Sequence, residues 1–382
     1  MGGNESDGAN YEAQEENLDF EKFLFRYTHP HILKSFILML GEYAKNSDFL
    51  NRCCMNMLER IAYEFAFDNW EEGVAYVEVR FAPQLHQHER LTTREVLVAV
   101  DAGLARAARE INATVPAEGV PFRYGIIVCA LRMFTEQFSH YYGQLLRALP
   151  SAPRKKVFGL ASLELAREAV WARDEAGIPV VGFDLAGQEA GYPADDHREA
   201  YAFAHANFLC KTVHAGEAYG AESIFQAISE LHADRIGHGY LLFAADRVTD
   251  PRIKDPQRYV TRMAEYIADR RVTMEVCITS NLQTNPSIGS ARNHTLRRML
   301  DNRLSVAICT DNRLVSHTTM TKELMIAVEE CAMTHRQLRD VVIHSFKRSF
   351  YPGSYQEKRQ YVRRVIDSFD ATMRRHAESA IP

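Results

Sequence analysis

The chain has 382 residues, of which 46% are hydrophobic and 25% are charged, and its formal net charge is −5. This apolar fraction excludes a disordered protein, and the slight acidic excess argues against a nucleic-acid-binding protein that relies on an overall basic field. No apolar run approaches the roughly 20 residues of a membrane-spanning helix, so we expect no membrane partner. The length suits one large α/β domain or two medium ones, and a (β/α)8 barrel typically needs about 250 residues.

The N-terminal segment, residues 1–21, contains seven acidic residues and neither Lys nor Arg. A secretory signal peptide has a basic start and an apolar centre, so this composition indicates an acidic disordered leader instead. The seven cysteines are scattered without a C-x-x-C pair, which is typical of a reducing compartment. We therefore expect a cytoplasmic protein in which residues 22–382 form one barrel domain with C-terminal helices.

Short β-rich runs alternate with helical patterns along the rest of the chain. Thr92 and Glu95 form a capping box before one helix, a second helix is predicted over 163–176, and a third over 223–231. This alternation predicts a parallel sheet covered by helices, but periodicity alone does not distinguish an open sheet from a closed barrel. The predicted strands are residues 75–80, 124–130, 179–184, 211–214, 235–238, 272–277 and 305–310.

Polar residues of catalytic type follow the carboxyl ends of these predicted strands. In a TIM barrel those ends converge on one face, where active sites lie, so the distribution favours the barrel. The residues are Asp184 and Gly187 after the third run, His214 and Glu217 after the fourth, His238 at the fifth, and Asp311 and Asn312 after the seventh.

Three of these groups together indicate metal-assisted hydrolysis. His214 and Glu217 offer a metal ligand and an acid or base, although a core histidine beside the first acid of a helix is an equal alternative. His238 lies between two glycines and suits proton transfer, or is a histidine in a glycine turn. Asp311 suits Zn²⁺ ligation or general base chemistry, with helix N-capping as the alternative.

The chain resembles the adenosine deaminases of the metal-dependent amidohydrolase superfamily from about residue 37 to about residue 368. The resemblance depends on the order, spacing and content of several motifs. The matching segments are residues 72–83, Phe183–Gly187, Thr212–Glu217, Arg235–Tyr240, Met274–Cys277 with Thr279–Asn281, and Thr310-Asp311.

The resemblance implies a (β/α)8 barrel that holds one Zn²⁺ and converts adenosine, or a related 6-aminopurine nucleoside, to inosine and ammonia. By the family pattern, His214 and Asp311 are zinc ligands, and Glu217 protonates the purine ring at N1. His238 would orient the zinc-bound water and help to deprotonate it, and the backbone of Gly187 would bind the purine. The expected partner is thus a small purine nucleoside and not a nucleic acid. Nothing in the sequence predicts the oligomeric state.

Asn312 departs from the family pattern, because many members carry a second Asp at this position. Asn keeps a carbonyl acceptor and adds an NH₂ donor, so it retains the means to face N7 of the purine. We interpret this difference as a tuning of substrate binding.

A second departure concerns the first strand, which in the family ends in an H-x-H pair of zinc ligands. No such strand is evident, and the nearest substitute is His29-Pro30-His31, although Pro30 cannot donate a hydrogen bond within a sheet. His86-Gln87-His88 has the same spacing. The alternative to zinc ligation there is a solvated polar loop.

Three explanations of the missing strand stay open. One is that the chain lacks part of its N-terminus. Another is that residues 20–31 supply an atypical first strand. The third is that the protein is a catalytically impaired relative that binds purines or protein partners. Packing does not require Glu217 or His238, and their retention favours an enzyme.

Overall fold

The computed structural model describes residues 48–379, so the predicted acidic leader and the candidate ligands His29 and His31 lie outside the described residues. All seven predicted strands are confirmed, with ends that differ by only one or two residues. The strands are β1 (Tyr76–Phe81), β2 (Arg123–Leu131), β3 (Val180–Ala186), β4 (Cys210–Ala215), β5 (Arg235–His238), β6 (Thr273–Val276) and β7 (Ser305–Ile308).

The strands form one parallel sheet in which the spatial order equals the chain order, β1 to β7. Each strand is followed by helical segments before the next, as parallel neighbours require. The register pairs His214 of β4 with Gly237 of β5, and Ala215 with His238. The carboxyl ends of all the strands therefore lie at one end of the sheet.

The helices cover the outer face of the sheet. The capping box at Thr92 and Glu95 is confirmed, with both reciprocal hydrogen bonds present. The helices are α1 (Asp48–Glu71), α2 (Thr93–Thr114), α3 (His140–Ala148), α4 (Arg154–Asp174), α5 (Arg198–Ala206), α6 (Ala221–Ser229), α7 (Pro256–Arg270), α8 (Ile278–Thr284), α9 (Leu296–Asp301), α10 (Arg313–Ser316), α11 (Met320–Glu329), α12 (His335–Arg348) and α13 (Tyr355–Ser379).

Two helices have boundaries that differ from the sequence-based expectation at both ends. The helix expected over 163–176 is α4, which begins nine residues earlier at Arg154 and ends at Asp174. It begins there because Pro153 is its N-cap, at a φ of −56° that leads directly into a helix. The helix expected over 223–231 is α6, which begins two residues earlier because Gly220 is its N-cap.

Side-chain contacts across the interior show that the sheet is curled. Arg80 of β1 is 2.6 Å from Glu275 of β6, and Arg235 of β5 is 2.6 Å from Glu78 of β1. β1 can make such contacts with β5 and β6, which are far from it in the strand order, only if the sheet bends back towards itself. The periodicity of the sequence did not distinguish an open sheet from a closed barrel. These ion pairs favour the barrel.

The curled sheet is not closed by backbone pairing within residues 48–379, where β1 and β7 are its two edges. Contacts outside the sheet bring these edges together: Glu72, before β1, accepts a hydrogen bond of 2.9 Å from the amide of Met320 and pairs with Arg313. The predicted TIM-type barrel with a missing or atypical first strand is thus confirmed for this part of the chain.

The main apolar core lies between the sheet and the helices. Leu97 and Leu104 of α2, Leu165 of α4, Ile224 of α6 and Ile267 of α7 are all completely buried. Each such side chain contributes about 1.5–3 kcal/mol relative to exposure. No helix within the described range is long and apolar enough to cross a bilayer.

Candidate active site

The structure gathers most of the predicted site residues at the carboxyl end of the sheet. His214 and His238 lie at the ends of the neighbouring strands β4 and β5, and the centroids of their imidazole rings are 5.0 Å apart. Gly187 directly follows β3, and Asp311 lies three residues after β7. Residues far apart in the sequence therefore line one end of the sheet, as the barrel interpretation requires.

His214 is oriented by a buried carboxylate. Its Nδ1 lies 3.0 Å from Oδ2 and 3.2 Å from Oδ1 of Asp184, which is completely buried and lies 3.4 Å from Arg80. Burial opposes the charged imidazole, but the charge and hydrogen bond of Asp184 outweigh it and raise the pKa of His214. Since Nδ1 is engaged by Asp184, Nε2 is the atom that His214 offers to a metal.

A chain of hydrogen bonds defines the tautomer of His238. The amide of Leu296 donates to Nδ1 of His294, and Nε2 of His294 donates to Oδ1 of Asn281, at 3.0 and 3.2 Å. The NH₂ group of Asn281 then donates to Nδ1 of His238 over 3.0 Å. In this arrangement Nδ1 of His238 is an acceptor, so Nε2 is the ring atom that holds or exchanges a proton.

His238 and Glu217 form the pair closest to proton-transfer chemistry. Nε2 of His238 is 3.5 Å from Oε1 of Glu217, and His238 is buried whereas Glu217 is half-buried. Burial lowers the pKa of His238, although the charge of Glu217 opposes that shift. A neutral imidazole beside a carboxyl group is suited to moving protons at neutral pH.

The loop that carries Glu217 is organised by a second, buried carboxylate. Oε2 of Glu189 accepts hydrogen bonds from the amides of Glu217, Ala218 and Tyr219, at 3.0, 2.6 and 3.1 Å. Its Oε1 accepts from the amide of Gly216 at 3.0 Å and from the hydroxyl of Ser223. Burial opposes ionisation, but these donors lower the pKa of Glu189. One carboxylate thus holds four successive amides in place.

Asp311 is held in an unusual backbone conformation. It has a φ of +55°, and His238 likewise has a φ of +64°, both in the left-handed region that few residues other than glycine adopt. Oδ2 of Asp311 accepts a hydrogen bond of 2.7 Å from Ser280. Burial opposes ionisation, but this bond and the nearby histidines lower the pKa of Asp311. Such strained backbone is common at functional sites.

The two predicted substrate-binding residues differ in how they are placed. Gly187 is exposed and has a φ of +96°, which glycine adopts without strain. Asn312 is the N-cap of α10, and its Oδ1 accepts a hydrogen bond of 3.1 Å from the amide of Val315. The helix-capping alternative considered for Asp311 therefore applies to Asn312. The carbonyl expected to face N7 of the purine is already engaged.

His86 and His88 follow β1 and are half-buried. Between residues 48 and 379, no three or more His, Cys, Asp or Glu side chains are arranged to hold a metal, so neither histidine completes a cluster with His214 and Asp311. The charge acting most strongly on His88 is that of His140, and Nε2 of His88 is buried without a hydrogen-bond partner among the described residues.

The donors that the site does present fit zinc. An imidazole with Nδ1 engaged by a carboxylate and a nearby aspartate are two of the ligand types that zinc prefers. Catalytic zinc sites usually have three protein ligands, and residues 48–379 contain no cluster of three such side chains.

The family profile for adenosine deaminase matches residues 12–148 and 147–368. An adenosine deaminase of Mycobacterium marinum is 33% identical over 311 residues, which is 81% of this chain and 75% of that protein. Adenosine deaminase 1 of Streptomyces coelicolor is 33% identical over 309 residues, covering 81% and 68% of the two chains. This chain belongs to the adenosine deaminase family.

Solved structures at lower identity share the fold of this chain. An N6-mAMP deaminase from Arabidopsis superimposes with a TM-score of 0.62 at 21% identity, covering 94% of this chain and 91% of the other. An amidohydrolase from Burkholderia ambifaria with bound Zn gives 0.62 at 17% identity, covering 83% and 75%. The predicted family, fold and enzyme class, a hydrolytic deaminase, are confirmed.

Two residues of the site were missed by the sequence analysis. Glu189 follows Gly187 by two positions, and an acid so close to a strand-end glycine was a usable signal. His294 lies 56 positions beyond His238 in a loop without a motif, so nothing in the sequence connects it to the site.

Proposed function

We propose that this chain deaminates adenosine, or a closely related 6-aminopurine nucleoside, by zinc-dependent hydrolysis to inosine and ammonia. The observation that carries the proposal is the placement of Glu217 and His238, 3.5 Å apart, beside His214 at the carboxyl end of the sheet. In the reaction, the oxygen of water forms a bond to C6 of the purine, and the exocyclic amine leaves as ammonia.

Glu217 is proposed to donate a proton to N1 of the purine as water adds to C6. Protonation of N1 withdraws electrons from C6 and makes it a better electrophile. The backbone of Glu217 is held by Glu189, so its carboxyl group is positioned before substrate arrives. Such preorganisation lowers the cost of reaching the transition state.

His238 is proposed to orient the attacking water through its Nε2–H group, and to accept a proton from that water only as Nε2 passes its own proton to Glu217, 3.5 Å away. Its Nδ1 is engaged by Asn281, which fixes the direction of the ring. Burial lowers its pKa, so the imidazole is neutral before reaction and carries its single proton on Nε2.

His214 through Nε2 and Asp311 through its carboxylate are proposed to hold the zinc ion. When bound, zinc supplies Lewis acidity that makes a water molecule acidic enough to ionise near neutral pH. We propose His29 and His31 as the remaining ligands. The family match supports this choice because it begins at residue 12 and so includes both, whereas His86 and His88 join no cluster among residues 48–379.

Adenosine is proposed as the preferred substrate because the relatives at 33% identity are named adenosine deaminases. Similar folds belong to an adenine deaminase and an N6-mAMP deaminase, so the related purines need direct comparison. Steady-state assays with adenosine, AMP, N6-methyl-AMP and adenine should give the highest kcat/KM for adenosine. A higher value for either nucleotide would reassign the substrate.

Two variants separate chemistry from metal binding. Glu217→Gln keeps the shape of the side chain but removes the acid, so zinc content should match wild type while kcat falls by roughly 10²–10⁴-fold or more. His214→Ala should lose zinc as well as turnover. Zinc content is measured by atomic absorption and turnover by the loss of adenosine absorbance.

Equal zinc content in Glu217→Gln and His214→Ala would show that His214 is not a ligand. Wild-type protein that carries a full complement of zinc and yet leaves adenosine unchanged would instead favour the catalytically impaired, purine-binding alternative.

A further inference from the structure

Two adjoining cavities lie at the amino ends of the strands, opposite the candidate active site. The first, about 600 Å³, is lined by Arg235 and Thr273, the first residues of β5 and β6, and by the last turn of α12. The second, about 460 Å³, lies between β7, α9 and α12. Arg271 lines both, and we call the two together the basic cavity pair.

The basic cavity pair has a charge opposite to that of the whole chain. Its acidic lining residues are Asp234, which pairs with Lys211 at 3.2 Å, and Asp340. The chain as a whole carries a net charge of −5, so this excess of cations is local. The lining cations are Arg235, Arg270, Arg271, Arg303, Arg336, Lys347, Arg348 and Lys358.

Most of these cations have no anionic partner. Arg235 is paired with Glu78 and Glu275, and Lys358 donates to the carbonyl of Ser349 over 2.6 Å. The other six form no side-chain hydrogen bond or ion pair with any residue from 48 to 379. Burial lowers the pKa of His344, which lines the second cavity; the charge of Asp340 opposes this shift, and the charges of Lys347, Arg348 and Arg271 add to it.

The backbone supplies a second observation. Arg271 and Arg303 have φ values of +58° and +57°, and each follows the end of a helix. Glycine is the favoured residue at such left-handed positions, and a side chain there costs stability. Both positions carry an arginine that lines the cavities. Interaction with a helix dipole stabilises single cations at helix ends, but it does not account for six exposed cations around two adjoining cavities.

We propose that the basic cavity pair binds a polyphosphate anion, either a nucleoside triphosphate or an inorganic polyphosphate chain. Guanidinium groups bind phosphate oxygens in a bidentate manner, and each cavity volume lies within the usual range for small-ligand sites. A chain of phosphates fits better than a single one, because the unpaired cations extend across two adjoining cavities. This site is separate from the deaminase site and does not depend on it.

Isothermal titration calorimetry of the full chain with tripolyphosphate and with ATP, at constant ionic strength, tests the proposal. The double variant Arg271→Gln/Lys347→Gln should weaken binding of both probes by about 100-fold, because it removes two charged contacts. Its thermal midpoint without ligand should equal or exceed that of wild type, because repulsion is relieved. Similar affinities for the two probes would identify the phosphate chain as the ligand, and tighter binding of ATP would identify a nucleotide.

The matched control is Lys155→Gln/Lys156→Gln, which removes the same charge from the start of α4, at positions that are exposed like Arg271 and Lys347 but line neither cavity. It should bind both probes within about twofold of wild type. Adenosine turnover, where present, should be unchanged in both double variants, so failure of the deaminase proposal would leave this test intact.

Two results would overturn the proposal. One is the absence of saturable binding, or equal weakening in the control variant, which would indicate unspecific attraction of anions. The other is binding of a single-stranded oligonucleotide that strengthens with length and displaces ATP, which would identify a nucleic-acid surface instead.

Discussion

At the scale of single residues, Glu189 has the clearest positioning role at the site. Its carboxylate accepts hydrogen bonds from four consecutive amides, Gly216 to Tyr219, and one of these amides belongs to Glu217. A charged acceptor strengthens each of these bonds. The position of the proposed acid therefore depends on a residue that does not itself touch the reacting atoms.

Glu189→Gln should lower kcat by about tenfold or more while changing KM less, because the neutral amide turns an NH₂ group towards N–H donors. The matched control is Glu222→Gln. Glu222 also accepts two backbone hydrogen bonds, of 2.8 and 2.7 Å from Thr249 and Asp250, but away from the site. Steady-state kinetics of both variants check the prediction, and an equal loss of kcat in the control would contradict it.

Glu275 carries a buried charge inside the barrel, where it pairs with Arg80 and Arg235. Burial opposes its ionisation, but Arg80 and Arg235 lower its pKa to about 2. A carboxyl with a depressed pKa stabilises the fold above its unfolded pKa of about 4.3, and this contribution is lost as the pH falls towards 2. The contribution is on the order of 3 kcal/mol.

Glu275→Gln should lower the free energy of unfolding by about 3–5 kcal/mol, because it leaves Arg80 and Arg235 buried without a full partner. The loss of stability on acidification should also become smaller. Urea unfolding between pH 7 and pH 3 measures both effects. Glu136→Gln, which breaks an exposed pair with Arg147, is the control and should change stability by less than about 1 kcal/mol.

At the scale of elements, the close approach of α1 and α2 depends on a glycine. A Cβ atom added at Gly103 of α2 would lie 2.0 Å from the backbone oxygen of Glu59 in α1, and backbone cannot move aside as a flexible side chain can. Helix propensity alone predicts that alanine would be more stable there by about 1 kcal/mol. Packing predicts instead that alanine at this position lowers the stability.

Gly103→Ala should therefore destabilise the protein by about 1–3 kcal/mol in urea unfolding, because overpacking outweighs propensity. Val98→Ala, at an exposed position of the same helix, tests propensity without the close contact and should be neutral or slightly stabilising. An increase in the stability of Gly103→Ala would show that the helices are free to separate.

Strands were more predictable than helix ends in this chain. Buried parallel strands are short apolar runs followed by polar residues, and all seven runs predicted from that pattern are strands. Helix starts depend on local caps, and α4 begins at Arg154 because of Pro153, a signal that the apolar periodicity does not contain. Strand-end residues such as His214 and His238 were predicted for the same reason as the strands.

The rest of the site depends on tertiary structure. Glu189 and His294 act through hydrogen bonds to loops that are distant in sequence, and a single sequence carries no information about such contacts. The competing use of Asn312 as a helix cap likewise follows from the start of α10 at Arg313, one residue later than the capping alternative for Asp311 would place it.

At the scale of the whole molecule, the curled sheet places two different chemistries at its two ends. The carboxyl ends carry His214, Glu217 and His238, and the amino ends border the basic cavity pair. Ion pairs from β1 to β5 and β6 hold the curl. The family match that begins at residue 12 extends further towards the N-terminus than the resemblance from about residue 37 that the motifs suggested.

The most direct test of the account is a zinc titration of the metal-free full chain, with adenosine deamination followed by absorbance and by ammonia release. We expect activity to rise in proportion to zinc, to reach a plateau at one zinc ion per chain, and to yield one ammonia for each inosine. A chain that binds one zinc ion and releases no ammonia from adenosine, or that deaminates adenosine equally well without zinc, would contradict it.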